Sequence, residues 1–347
     1  GTNMIVQDLI LRRRLKSRFP DVAPRPLHRV DHHAAHAAMF FVSPFDEATV
    51  VVLDGFGDQT ASSIFAGKGN RLERQWQGHI LDSLGIVYSL VTRHLGFEVF
   101  EEGTVMALAA CGNDSAVKAM RDLIRLGSDG QFHVNMDYFT YDRYGMIKPF
   151  TAKFAARFGP ARRRDEPLTD QHKAVARGLQ ALTEEVVLHV ARAARKSLPS
   201  RNLCLSGGVA LNCVANARVL SEAGFDRVWV PPCASDSGAP LGSALWHYHQ
   251  SLGAPRRRRR GNEIDRLGSW SAGQPGLDAG GACACIARRQ ACTLDRRRCG
   301  TRRTYPQTPH GTELRRARRR RNGRRCYWQA EVAARVIDGD RAGERQD

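Results

Sequence analysis

The stretch Leu203-Cys204-Leu205-Ser206-Gly207-Gly208-Val209-Ala210-Leu211-Asn212-Cys213-Val214-Ala215-Asn216 runs from an apolar segment into a glycine pair and on into a helical pattern. Such a turn aims a helix N-terminus at an anion, and the glycines let a ligand sit against the backbone. A plain strand–loop–helix connection is the alternative. The spacing is neither the GxGxxG of dinucleotide sites nor the Walker GxxxxGK[ST], so neither of those readings is licensed. The same alternation recurs outward from this point. Upstream, Thr49-Val50-Val51-Val52-Leu53 is a short β-branched run and reads as a buried strand. Asp54-Gly55-Phe56-Gly57-Asp58 reads as a turn, with residues 61–66 returning as the partner strand. Helical patterns cover 83–95, 102–110 and 115–126. Val175, Leu179, Leu182, Val186, Val190 and Ala194 recur every three or four residues, which predicts one long amphipathic helix over 171–198. A strand over 227–230 and a helix after Gly238 follow. The alternation predicts an α/β layered domain.

With 347 residues and 42% hydrophobic content, the chain can bury a sizeable core and has room for two domains. Nowhere does it hold an uninterrupted apolar run of about 18 residues, so no transmembrane helix is predicted. The opening GTNMIVQDLILRRRLKSRFP lacks the order of a secretory signal and carries Met in fourth place, which reads as a cut end. The formal net charge of +18 suggests a nucleic-acid partner until it is located. Residues 255–347 contain 24 Arg, no Lys, and 10 Asp and Glu, a net of +14; the first 254 residues hold 29 basic and 25 acidic side chains, a net of only +4. Five of the nine cysteines, Cys283, Cys285, Cys292, Cys299 and Cys326, also lie in that tail.

The tail reads PRRRRRGNEID, then GGACACIARRQAC, then LRRARRRRNGRRC. One reading is a disordered basic arm for phosphate backbones. A second is a GC-rich gene read out of frame, which yields Arg, Ala, Gly, Pro and Cys in excess and almost no Lys. A folded module is the third. The frame reading fits the composition best, and the isolated cysteines show no zinc spacing. The pattern QAEVAARVIDGDRAG over 329–343 returns to an amphipathic helix followed by glycine. The resulting division is 1–253 as the body, 254–328 as the Arg-rich segment without a packed core, and 329–347 as a short helical remnant.

Three further stretches carry chemistry. In Asp31-His32-His33-Ala34-Ala35-His36, the two histidines four apart project from one face of a helix, as a metal requires. Alone, such a pair is also compatible with packing coincidence, and a carboxylate from elsewhere would decide. In VVVLDGFGDQT (50–60), a buried strand ending in Asp meets a Gly-rich turn, where backbone N–H groups can approach phosphates; an ordinary hairpin is the alternative. In Val230-Pro231-Pro232-Cys233-Ala234-Ser235-Asp236-Ser237-Gly238, the carboxylate can complete a two-His-one-carboxylate site or simply cap a helix.

In order, VDHHAAH, VVLDGFGD, SLGIVYSLVTRHLGF with EEGTVMALA, LSGGVALNCVAN and PPCASDSGAPLGSAL resemble the nodulation-type and antibiotic O-carbamoyltransferases over residues 27–248. The resemblance implies an actin-like ATPase fold of two related halves, akin to the tRNA threonylcarbamoyl transferase, with nucleotide and metal between the halves. It makes His32, His36 and Asp236 the metal ligands, with iron first among divalent ions. It places Asp54, Gly55 and Asp58 on a first phosphate-side loop, and Gly207 and Gly208 on a second, with Asn212 near the nucleotide. In this family a second domain forms carbamoyl-adenylate from carbamoyl phosphate and ATP. The acceptor hydroxyl then attacks the carbamoyl carbon, and Asp54 is positioned to take the proton. Thr104 stands where the family has a lysine and Ala107 where it has a glycine. The first phosphate hairpin and the adenylate-forming domain are expected outside this chain, which reads as an internal fragment incomplete at both ends.

The expected function is cytoplasmic transfer of a carbamoyl group to a glycan-like acceptor, a nodulation lipo-chitooligosaccharide before an aminoglycoside-type antibiotic. A threonylcarbamoyl transferase-like enzyme and a nucleic-acid-binding protein acting through the basic tail are the alternatives. The oligomeric state is not legible.

Overall fold

The valine run builds the strand on which everything else is hung. Val50, Val51, Val52 and Leu53 are buried, as both faces of a central strand should be, and they lie in β1 (Glu47–Gly57). The computed structural model describes residues 2–21, 26–256 and 270–271. Its described residues divide into two compact units, the first drawn from 1–80, 194–211 and 225–271, the second from 81–193 and 212–224.

The first unit opens with α1 (Thr2–Arg18) and α2 (His32–Ala37). Its sheet has the order β3-β2-β1-β6-β7-β8, where β2 is Thr60–Lys68, β3 Arg71–His79, β6 Asn202–Ser206, β7 Arg227–Trp229 and β8 Trp270–Ser271. β1, β2 and β3 form an antiparallel meander, whereas β6 and β7 run parallel to β1. A three-stranded meander followed by two parallel strands makes a mixed sheet within an α/β chain. Among the described residues it is the only large sheet. Phe40, Phe41, Phe45, Phe65, Leu72 and Trp229 pack with Val50 and Val52 as the core of this unit.

The β1–β2 hairpin differs from the sequence expectation. β1 continues through Asp54 to Gly57, with a bulge between Leu53 and Gly57, and the turn falls on Asp58 and Gln59. Bulges bend and re-aim a strand without ending it. The strand over 227–230 and the helix after Gly238 are present as β7 and α10 (Ala239–Leu245). α10 packs on α2 so closely that a Cβ on Gly242 would lie 1.9 Å from the Ala35 carbonyl oxygen. Only glycine permits that crossing.

The second unit contains α3 (Leu84–His94), α4 (Glu102–Ala109), the single turn α5 (Val117–Met120), the hairpin β4 (Ile124–Leu126) and β5 (Phe132–Val134), α6 (Tyr141–Tyr144) and α7 (Ala152–Phe158). α8 (Asp170–Ser197) realises the long amphipathic helix, and the boundary between units falls within it. α9 (Cys213–Glu222) completes the set. The helix expected over 115–126 is a correction: it breaks after Leu123, and Ile124–Leu126 pair with Phe132–Val134. Asp129 and Gly130, both with positive φ, supply the intervening turn, so a tertiary hairpin overrides local helix propensity.

No helix among the described residues is long and apolar enough to cross a membrane. Contacts with the first unit continue past residue 253. The Arg256 guanidinium donates to the carbonyls of Phe40, Phe41, Ser43, Phe45 and Gly69 and lies over the Phe40 ring. Trp270 and Ser271 add a short edge strand beside β7. The expectations for 257–269 and 272–347, including the Arg-rich segment and the helical pattern over 329–343, lie outside the described residues.

Candidate metal centre

α2 begins where Asp31 caps it. The Asp31 side chain accepts the Ala34 N–H at 2.8 Å, satisfying one of the donors that a helix start leaves unpaired. That register places His32 and His36 one turn apart on one face, with ring centroids 4.7 Å apart and the rings edge to face. The side chains of Asp54, from β1, and Asp236, from the turn before α10, point at the same spot. His32, His36, Asp54 and Asp236 each offer one ligand atom, and all four atoms lie within 4.8 Å of one another.

The spacing is informative. His32 Nε2 is 2.9 Å from Asp54 Oδ2 and 3.3 Å from Asp236 Oδ1. His36 Nε2 is 3.4 Å from each of these oxygens and 3.0 Å from His32 Nε2. Four donors about 2.1 Å from a common centre in tetrahedral array stand about 3.4 Å apart. Two imidazole nitrogens facing each other at 3.0 Å repel unless a proton or a cation lies between them. The donors therefore suit a divalent ion bound through two imidazoles and two carboxylates. His36 Nδ1 is buried without a hydrogen-bond partner in the described structure.

The charges are coupled. Burial disfavours the His32 imidazolium, but hydrogen bonds to Asp236 and Asp54 outweigh it and push the group up to about 10. His36 is raised by the same two carboxylates against its burial. Burial opposes ionisation of Asp54, yet the hydrogen bonds from His32 and His36 hold its carboxyl well below the usual carboxylate range. Asp236, bonded to both imidazoles, is lowered to about 2. His33 faces away: its Nδ1 meets Ser63 Oγ at 2.9 Å, and burial pushes it down to about 4.

The structure thus brings His32, His36 and Asp236 together from positions some 200 residues apart in the chain. It adds Asp54, which the sequence suggested as a proton acceptor. Both Asp54 oxygens are engaged, Oδ2 by the imidazoles and Oδ1 by the Gly208 N–H at 2.8 Å. The two glycine-bearing segments do not face each other across a gap. β1 and β6 are parallel neighbours with Val52 opposite Ser206, so Gly207 lies beside Leu53. Gly207 has φ +89°, and a Cβ there would sit 2.2 Å from the Leu53 carbonyl oxygen. Strand packing alone demands this glycine.

Asp58 accepts the His32 N–H at 2.9 Å. Asn212, expected near the nucleotide, caps α9 through Ala215 N–H and pairs amide to amide with Gln180 at 2.9 and 3.0 Å. Two features escaped the sequence reading, the Asp58 contact and the Gly242 crossing. The glycine four residues after Gly238 was a usable signal for the second.

Comparison with known proteins gives the chain its relatives. It is 43% identical over 239 residues to the uncharacterized protein sll1178 of Synechocystis sp., covering 68% of this chain and 38% of that one. It is 32% identical over 240 residues to nodulation protein NolO of Bradyrhizobium diazoefficiens, covering 67% and 40%. With nodulation protein NolNO of Sinorhizobium fredii it shares 32% identity over 260 residues, covering 72% and 36%. The chain therefore spans about two fifths of the length of these relatives. The family described as carbamoyltransferase N-terminus matches residues 5–245, which contain every member of the cluster, and the chain belongs to this carbamoyltransferase family.

Proposed function

We propose that this chain supplies the transfer part of an O-carbamoyltransferase, with His32, His36, Asp54 and Asp236 holding a divalent metal, iron before other divalent ions. The observation that supports it is the convergence of two imidazoles and two carboxylates, whose ligand atoms all lie within 4.8 Å of one another. A metal bound there would neutralise the phosphate of carbamoyl-adenylate and polarise its carbamoyl group. The donor is carbamoyl phosphate, activated with ATP, in keeping with a cytoplasmic reaction. The acceptor oxygen bonds to the carbamoyl carbon, the bond from that carbon to the AMP phosphate oxygen breaks, AMP leaves with the electron pair, and the hydroxyl proton passes to a base. Asp54 enters as a ligand and not as that base, because both its oxygens are engaged and its carboxyl is a weak proton acceptor. Gly55, Gly207 and Gly208 form the phosphate side of the site, Asp58 belongs to the same corner, and Asn212 shapes the start of α9. A nodulation lipo-chitooligosaccharide is the proposed acceptor, supported by the two nodulation proteins among the relatives.

The test supplies the chain with carbamoyl-adenylate and a chitooligosaccharide, with and without Fe²⁺ or Co²⁺. Mass spectrometry should find metal-dependent carbamoylation that His32→Ala and Asp236→Ala abolish. Stoichiometric metal binding without transfer would refute the activity, and absence of metal binding would refute the metal centre.

A further inference from the structure

The turn between β1 and β2 closes on a residue that is not glycine. Asp58 has φ 55°, in the left-handed region that glycine enters without steric cost and Asn or Asp with little. Its carboxylate reaches back across 26 residues to accept the His32 N–H at 2.9 Å. His32 is the first residue of α2, where N–H groups have no partner inside the helix. α2 has six residues, far too few to hold its own shape in isolation. External ties therefore decide where its side chains point. At its first turn Asp31 supplies one such tie from the local chain and Asp58 another from the hairpin.

The wall beside these rings is equally close. A Cβ on Gly57 would lie 2.6 Å from His32 Cδ2 and 2.5 Å from His33 Cδ2. The end of β1 thus packs directly against the imidazoles, and the next residue but one after Phe56 is the acceptor for His32. Metal–nitrogen bonds near 2.1 Å tolerate little displacement of a ligand ring.

We propose that Asp58 is a positioning residue: by accepting the His32 N–H it fixes the first turn of α2 and thereby sets His32 Nε2 against the other three donors. This reading rests on the metal centre proposed above. It gives Asp58 a task that does not involve contact with a phosphate, which its negative charge would repel.

Three variants of the whole chain separate the possibilities. Asp58→Asn keeps an acceptor oxygen and tolerates the left-handed backbone. Asp58→Gly keeps the backbone and removes the acceptor. Asp58→Ala loses both. Each is titrated with Co²⁺ alone, and hydrogen exchange over 31–37 is followed in the metal-free protein. The expected result is affinity about tenfold weaker in the Gly and Ala variants, the lower end of what loss of a supporting partner costs a metal site, with faster exchange over 31–37. The Asn variant should restore both. If Asp58→Gly matches the parent chain in exchange and affinity, the turn conformation alone matters and the proposal falls. Equal losses in all three variants would assign the effect to charge and overturn it too. Should the parent chain bind no Co²⁺, the metal reading fails by itself, and the exchange comparison still decides whether Asp58 sets His32.

Discussion

Two charged regions of this chain use the same residue types to opposite ends. In the corner formed by α2, β1 and the turn before α10, two imidazoles and two carboxylates share one point, and His36 and Asp54 are almost sealed from solvent, at 1% and 7% side-chain exposure. In the second unit, Asp114, Lys118, Arg121, Arg177, Glu184, Glu185 and Arg218 line an open groove of about 430 Å³. Its charges answer one another: Arg121 with Glu185, Arg177 with Asp114, Arg218 with Glu184 and Glu222. The groove carries more charged side chains than the corner. It lacks convergence, because Arg121, Arg177 and Arg218 are each paired with anions of their own. Charge density is therefore a poor guide to a site, whereas unlike donors aimed at one buried point are a good one.

The largest effect should come from breaking that convergence. His36→Ala or Asp54→Ala removes a donor outright and should weaken Co²⁺ binding by well over the roughly 10–100-fold that an outer partner costs. Calorimetric titration checks it, and retained affinity would mean the cluster is not a metal shell. Gly207→Ala comes next. Its left-handed backbone alone costs about 1–3 kcal/mol, and the clash with the Leu53 carbonyl forces β1 and β6 apart. Gly69 also has positive φ, but a Cβ there meets nothing within 4 Å. Denaturant unfolding should therefore show Gly207→Ala clearly less stable than Gly69→Ala, and only the former should disturb metal affinity.

The corner was only partly legible in the sequence. His32 and His36 could be paired because helical spacing is local. Asp236 stood in its own stretch as either a ligand or a helix cap, and only the family resemblance joined it to the histidines, since no local pattern links residues on opposite ends of a fold. Asp54 was found as a proton acceptor, but its contacts with the two imidazoles and the Gly208 N–H were not legible, because they form only once α2, β1 and β6 come together. The Asp58 contact is a side chain meeting a backbone N–H, which leaves no trace in residue types. For the fold, the runs that bury both faces or one helical stripe were readable, namely β1, β6 and α8. β3 was not, because an edge strand with charged residues on one face and Gly78 near its end resembles a loop. The Ile124–Leu126 strand was hidden by a helical pattern that only its hairpin partner overrides.

A smaller effect should distinguish the corner by its response to pH. In the metal-free chain the His32 imidazolium is pushed from 6.5 up to about 10. A raised folded value stabilises fully below 6.5 and is lost as pH rises towards 10. The unfolding midpoint should fall across that window, and His32→Gln should flatten the fall. Asp54 works in the opposite sense at the acid end: its carboxyl is held below the ordinary 3.8, so its contribution is present above that value and is lost as pH falls. Because a bound cation replaces the imidazolium protons, Co²⁺ affinity should rise with pH over the range in which the metal-free chain loses stability. A pH-independent affinity would show that the imidazoles are not the ligands.

The smallest effect belongs to the groove, and its smallness is the point. Arg121 makes a two-pronged contact with Glu185, Nε lying 3.1 and 2.9 Å from the two carboxylate oxygens, with Nη2 also bonded. In geometry this pair looks stronger than anything in the corner. Its side chains are nevertheless 56% and 28% exposed, so water screens the attraction and two long side chains lose rotamer freedom to maintain it. Arg121→Ala should leave the unfolding midpoint and Co²⁺ affinity within experimental scatter, and added salt should change neither further. Asp236 supplies the control from the other region. It is as exposed as Arg121, at 54%, yet Asp236→Ala should abolish metal binding, because its oxygen faces both imidazoles and is one of the four converging donors. If Arg121→Ala proved the more damaging of the two, exposure and convergence would have been weighed wrongly, and the groove would have to be treated as a working surface.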